Sequence, residues 1–226
     1  MKFGVCVFPG SNCDYDTYYI IRDLLQKDVV FLPYTTRKIE NVDCVVLPGG
    51  FSFGDYLRAG ALASKTPLGQ AVYDFAQKGG LVLGICNGFQ ILTELHLLPG
   101  ALLKNENMRF VCKDVFLRVE NNAIPFTKSM EKGQVLVVPI AHGEGRYYVS
   151  EEELKTLEEN GQIVLRYCDR DGNISKEANP NGSISNIAGV CNKEGNVFGL
   201  MPHPERASED ILGYHDGLLF WYSLIS

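Results

Sequence analysis

Four short apolar runs, separated by stretches with helical spacing, constrain this chain more than any other feature. They are Phe3–Phe8, Val29–Tyr34, Cys44–Leu47 and Leu81–Cys86. Alternation of this kind predicts an α/β fold with a largely parallel sheet. Three of the runs are almost wholly apolar, as strands covered on both faces are. Between the first two, Ile21, Leu24 and Leu25 form a helical stripe that Asn12 or Asp14 can cap. Ahead of the fourth, Thr66 is placed to cap a helix with Pro67 in its first turn. Leu68, Ala71, Val72, Phe75 and Ala76 follow at helical spacing, and Gly79-Gly80 stops it.

Further on, Met108–Glu120 and Gln134–Ile140 read as longer, partly antiparallel strands. Ser150 and Glu153 have capping-box spacing for a helix ending at Asn160-Gly161. Ile163–Cys168 and Val197–Met201 read as strands and Asp216–Leu224 as a last helix. No repeat or linker-like stretch interrupts the 226 residues, so a single domain spanning 1–226 is expected.

Composition removes several classes of function. Lys and Arg number 21 against 27 Asp and Glu, a net charge of −6, which disfavours a phosphate-binding nucleic-acid protein. No apolar run approaches the roughly 18 residues of a membrane span, and the N-terminal segment reads as a strand rather than a signal peptide. Seven cysteines, none in C-x-x-C spacing, suit neither a disulfide framework nor a zinc site. A reducing, cytoplasmic setting is expected, with no metal.

The chemistry concentrates at three places. Leu81–Ile85 runs into Gly84-Ile85-Cys86-Asn87-Gly88 and then a helical pattern carrying Phe89, Leu92 and Leu95. This is the cysteine analogue of the nucleophile elbow. The nucleophile occupies a strained strand-to-helix turn, the flanking glycines make room, and the helix N-terminus favours the thiolate. A base is needed. His96 reads as a helix-end residue and His215 as a surface or cap residue. His203, in Met201-Pro202-His203-Pro204-Glu205, directly follows an apolar strand. The proline after it predicts an extended segment, in which Glu205 lies on the same side and orients the imidazole. Third, Cys44–Leu47 ends in Pro48-Gly49-Gly50-Phe51, a turn able to aim backbone N–H groups at an oxyanion. Gly50 and Asn87 are the candidate donors. Gln90, one helical turn beyond Cys86, is placed to bind an amide substrate. Gly60–Thr66 imitates a phosphate-binding loop but lacks its second glycine and is one residue short, so the chain shows no nucleotide site of its own.

Together these residues resemble the class I, or triad, glutamine amidotransferases, over essentially the whole chain. Within that family the resemblance is to the glutaminase subunits that serve purine biosynthesis. It rests on Asn87 after the nucleophile, where most relatives carry leucine, and on five segments: Pro9–Asp14, Gly50–Gly60, Ile140–Arg146, Asn179–Ser183 and Gly199–Arg206. The resemblance implies a flavodoxin-like, doubly wound sheet with helices on both faces and some antiparallel strands. It implies L-glutamine as substrate, with Cys86, His203 and Glu205 catalytic, Gly50 and Asn87 forming the oxyanion hole, and Gln90 and Phe51 binding substrate. His142, Glu144, Arg146, Asn107 and Arg109 become candidates for a gate or an interface. The implied partners are a large synthetase subunit, which would hold the ATP and Mg²⁺ that this chain does not, and a small bridging subunit. A cysteine peptidase of the same elbow-bearing superfamily and a non-enzymatic binding subunit are the competing classes. Many such peptidases carry the base histidine directly after the cysteine, where this chain has Asn87.

Overall fold

The strands, in chain order, are β1 (Lys2–Val7), β2 (Asp28–Pro33), β3 (Cys44–Leu47), β4 (Leu81–Ile85), β5 (Ala101–Leu103), β6 (Val111–Val119), β7 (Val135–His142), β8 (Arg146–Tyr148), β9 (Ile163–Cys168), β10 (Ile187–Cys191) and β11 (Val197–Leu200). The α-helices are α1 (Asp14–Tyr19), α2 (Ala61–Ser64), α3 (Pro67–Gln77), α4 (Asn87–Glu94), α5 (Glu151–Glu159) and α6 (Leu218–Ile225). The computed structural model describes residues 1–226. They divide into two compact units: Met1–Leu98 with Asn196–Gly199, and Pro99–Gly195 with Leu200–Ser226.

In the first unit the strand order is β2-β1-β3-β4-β11. The pairs β1–β2, β1–β3 and β3–β4 are all parallel. The Asn196 carbonyl, just ahead of β11, accepts from the Val82 N–H at 2.8 Å. This is the flavodoxin-like order. The chain moves one way from β1 to β2 and the other way from β3 to β4. Right-handed crossovers therefore put α1 and α3 on opposite faces. All four residues of β3 are buried, as a strand with both faces covered requires. In α3 the Thr66 hydroxyl accepts from the Gly69 N–H at 3.1 Å, so Thr66 is the helix cap its spacing predicts. α1 departs from expectation. Cys13, not Asn12 or Asp14, occupies the N-cap without a side-chain bond, and the helix widens into a π turn over Ile20–Leu24.

The second unit carries the order β10-β9-β6-β7, antiparallel throughout, and a small antiparallel pair β5–β8. Along β7 burial alternates, with Leu136, Val138, Ile140 and His142 on the inner face. The capping box of α5 forms as expected: Glu153 N–H donates to the Ser150 hydroxyl, and Ser150 N–H to the Glu153 carboxylate. α6 begins two residues later than its sequence pattern suggests. Asp216 instead uses its carboxylate to accept from the Val137 N–H at 2.7 Å. No helix is long and apolar enough to cross a membrane.

Candidate active site

The sequence motifs of the first unit all fall at the carboxyl ends of β1, β3 and β4, beside the point where the strand order reverses. That crevice is where open α/β sheets bind ligands. Cys86 follows β4 and is the N-cap of α4, with φ 50° and ψ −104°. A non-glycine residue holds such a conformation only where its surroundings enforce it. The enforcement is steric. A Cβ on Gly88 would lie 2.0 Å from the Leu47 carbonyl oxygen, and one on Gly84 would lie 2.8 Å from the Gly88 carbonyl. The two glycines thus let α4 sit directly against β3 and β4 and force the chain to reverse at Cys86, which is 5% exposed.

The Pro48–Phe53 turn is held by its backbone. The Gly49 carbonyl accepts from the N–H groups of Asn12 (3.3 Å) and Cys13 (3.1 Å), and Phe51 N–H donates to the Gly10 carbonyl at 2.9 Å. A trans peptide points its N–H opposite to its carbonyl, so these bonds fix the direction of the Gly50 N–H. Gly50 has φ +147°, and a Cβ there would meet the Asn12 nitrogen at 2.6 Å. Phe51 stands half-exposed beside it. Asn87 and Gln90 are both buried, and the Asn87 amide nitrogen donates to the Gln90 side-chain oxygen at 2.9 Å.

In the second unit His203 Nδ1 lies 2.5 Å from Glu205 Oε1, and both residues are buried. The carboxylate accepts the Nδ1 proton, which makes Nε2 the acceptor nitrogen of the neutral ring. Glu205 does not reach His203 along the extended segment that the proline after His203 predicts. Backbone extension ends at His203 (φ −107°, ψ 87°), and Pro204–Arg206 forms a 3₁₀ turn. It is this turn that brings Glu205 back beneath the ring. The backbone is anchored on both sides, by His203 N–H donating to the Pro139 carbonyl at 2.8 Å and by Gly217 N–H donating to the Ala207 carbonyl at 2.7 Å. A Cβ on Gly217 would strike the Pro204 carbonyl at 2.1 Å. His215, by contrast, is exposed and pairs with Asp210 at 2.7 Å, and His96 is exposed just past α4.

His142 is buried in a net of amides. The Asn105 side-chain NH₂ donates to the carbonyls of Arg109 and His142, which turns its oxygen toward His142 Nδ1 (3.1 Å) and the Gly145 N–H (3.1 Å). Nδ1 therefore carries the proton. Asn181, whose NH₂ also donates to the Gly145 carbonyl, faces Nε2 at 3.5 Å. Burial pushes the imidazole down to about 4, and the nearby His203 adds to that shift. Glu144 and Arg146 lie on the segment so pinned and are half-exposed; Asn107 and Arg109 are exposed, with Arg109 N–H donating to the Asn107 side chain. The burial of Asn105 against His142 was not legible in the sequence. Nothing in the run Asn105-Glu106-Asn107-Met108-Arg109 marks the first asparagine as fully buried and the second as exposed.

The sequence model of the CobB/CobQ-like glutamine amidotransferase domain family matches residues 1–215. The chain belongs to that family. Among its relatives is the phosphoribosylformylglycinamidine synthase subunit PurQ of Aquifex aeolicus, 73% identical over 226 residues, with 100% of both chains covered. The protein of the same name from Koribacter versatilis is 54% identical over 225 residues, covering 100% of this chain and 97% of its own. A solved structure of PurLQS from Thermotoga maritima superposes with a TM-score of 0.87 at 43% identity, covering 99% of this chain and 97% of that one. The mixed, mostly parallel sheet is that of this solved relative.

Proposed function

We propose that this chain is the glutaminase component of a synthetase that converts formylglycinamide ribonucleotide to formylglycinamidine ribonucleotide in de novo purine synthesis. The observation that carries the reading is a cysteine forced into a strained elbow in a chain 73% identical, end to end, to a phosphoribosylformylglycinamidine synthase subunit. The chain works as one amidotransferase domain, residues 1–226, in the cytoplasm. Cys86 attacks the side-chain carboxamide of L-glutamine, and the Gly50 and Asn87 N–H groups receive the oxyanion. His203, oriented by Glu205, protonates the departing ammonia and then activates the water that hydrolyses the γ-glutamyl thioester. Gln90 and Phe51 border the substrate.

Ammonia released into water at neutral pH is protonated and no longer nucleophilic. The product must therefore pass to a partner by a closed route. The partner is a large synthetase subunit holding ATP and Mg²⁺, joined through a small bridging subunit; the PurLQS relative supports this assembly. Glu144, Arg146, Asn107 and Arg109 lie on segments suited to that contact, with His142 as the pin beneath them.

The test is glutamine hydrolysis by the chain alone and with the large subunit, formylglycinamide ribonucleotide, ATP and Mg²⁺. Turnover rises in the complex, and Cys86→Ala abolishes it. The same variant leaves synthesis from added ammonium salt intact. An active Cys86→Ala variant, or equal turnover with and without the partner and its substrates, contradicts the proposal.

A further inference from the structure

We infer that the side chain of Asn87 is a positioning residue that holds the oxyanion turn and Gln90 in one fixed relation. This rests on the glutaminase reading above, but concerns a group to which that reading assigns no role, since there only the backbone N–H of Asn87 acts. The Ser52 N–H donates to Asn87 Oδ1 at 3.1 Å, and Asn87 Nδ2 donates to Gln90 Oε1 at 2.9 Å. Ser52, Asn87 and Gln90 are 2%, 1% and 5% exposed, so solvent does not compete for these bonds.

The arrangement leaves no freedom of assignment. A backbone N–H can only donate, so the Asn87 atom facing Ser52 is the oxygen. Its NH₂ must then face Gln90, and Gln90 must present its own oxygen in return. One asparagine thereby sets the orientation of a second carboxamide, the one placed to read the substrate amide.

The other arm acts on the turn. Ser52 lies two residues after Gly50, whose preceding carbonyl is already fixed by Asn12 and Cys13. Directly after Ser52 come Phe53 (φ 53°), Gly54 (φ 68°), Asp55 (φ 55°) and Leu57 (φ 70°), four residues of the next five in the left-handed region. Three of these are not glycine, and each holds strain. The bond from Ser52 to Asn87 separates that strained segment from the Gly50 peptide. Without it, the buried Ser52 N–H loses its acceptor, and the strain relaxes toward Gly50.

Two substitutions divide the arms. Asn87→Leu keeps a similar volume and removes both bonds. Of the two bonds, Ser52→Pro removes only the one from the Ser52 N–H; it also replaces the hydroxymethyl by a ring, at the first position of a 3₁₀ turn where proline is tolerated. In the synthetase-bound enzyme, kcat for glutamine falls about 10-fold to 100-fold in each variant, less than outright loss of an oxyanion donor. KM rises only in Asn87→Leu, because only there does Gln90 lose its partner. The double variant has the kcat of Asn87→Leu alone, since both act through one bond. Iodoacetamide alkylation of the Cys86 peptide, a displacement with no oxyanion, stays at the wild-type rate in Asn87→Leu. Wild-type kcat and KM in Asn87→Leu overturns the inference, as does a kcat loss matched by lost alkylation, which marks a collapsed elbow instead. A wild-type complex that hydrolyses no glutamine overturns the glutaminase reading itself.

Discussion

Cys86 and His203 are prepared in different ways. The cysteine is placed by what its neighbours lack, since Gly84 and Gly88 have no Cβ to keep α4 away from β3 and β4. The histidine is placed by what its neighbours supply: a backbone acceptor at Pro139 and a carboxylate at 2.5 Å. If the imidazole carries protons between substrate, ammonia and water, His203→Ala lowers glutamine turnover by about 10²-fold to 10⁴-fold, the usual range for a general acid–base group. Glu205→Gln keeps the shape but removes the charge that steadies the imidazolium, so its loss is comparable or smaller. Steady-state glutaminase assays of the complex decide this. A mild His203→Ala beside a damaging His215→Ala would place the base elsewhere. The elbow at Cys86 and the pairing of His203 with Glu205 were legible in the sequence, because each lies in a motif whose residue types have few other uses. The manner of pairing was not. Alternation along an extended strand and a 3₁₀ turn both bring residues i and i+2 within reach, and only coordinates separate them.

Among the elements, β7 shows how a strand carries a polar residue into the core. Its alternation puts His142 in line with Leu136, Val138 and Ile140, and the amides of Asn105 and Asn181 satisfy the ring in its neutral form. The consequence for stability has a definite sign. The unfolded chain protonates this imidazole below its ordinary 6.5, the folded chain only below about 4. Between those values the unfolded state binds more protons, so stability falls as pH drops from 6.5 toward 4 and is undiminished by this group above 6.5. The shift corresponds to about 3 kcal/mol at most. Denaturant midpoints at pH 7 and pH 4.5 test it: His142→Gln is less stable than wild type at pH 7 and shows a shallower acid decline. Equal acid slopes in the two proteins contradict the account. The long and strongly patterned elements were legible, among them β1, β3, β4, α3 and α5. The pair β5–β8 was not, because three-residue strands are too short to show a period. Strand β10 was also missed. Its Ile187-Ala188-Gly189-Val190-Cys191 is buried throughout, and small residues give it neither alternation nor a strong apolar run.

At the scale of the whole molecule, the chain gathers Pro9–Asn12, Gly49–Ser52 and Cys86–Gln90 at the carboxyl ends of β1, β3 and β4, as the strand reversal of this fold predicts. The division into two units at Leu98 and Pro99 left no mark in the sequence, since no linker composition accompanies it. In the proposed mechanism one thiol of seven, that of Cys86, carries the reaction. Burial pushes the thiols of Cys6 and Cys44 far up, and those of Cys168 and Cys191 up to about 11. Cys112 alone is exposed. An unspecific reagent therefore finds Cys112 first, and a glutamine analogue that needs the oxyanion turn and the elbow finds Cys86. The direct measurement is treatment of the synthetase-bound chain with 6-diazo-5-oxonorleucine, followed by peptide mapping. The expected result is a single adduct on Cys86, formed in proportion to the loss of glutamine hydrolysis, with ammonium-dependent synthesis unaffected. Inactivation with the adduct on Cys112 or any other cysteine, or with Cys86 unmodified, would contradict the account.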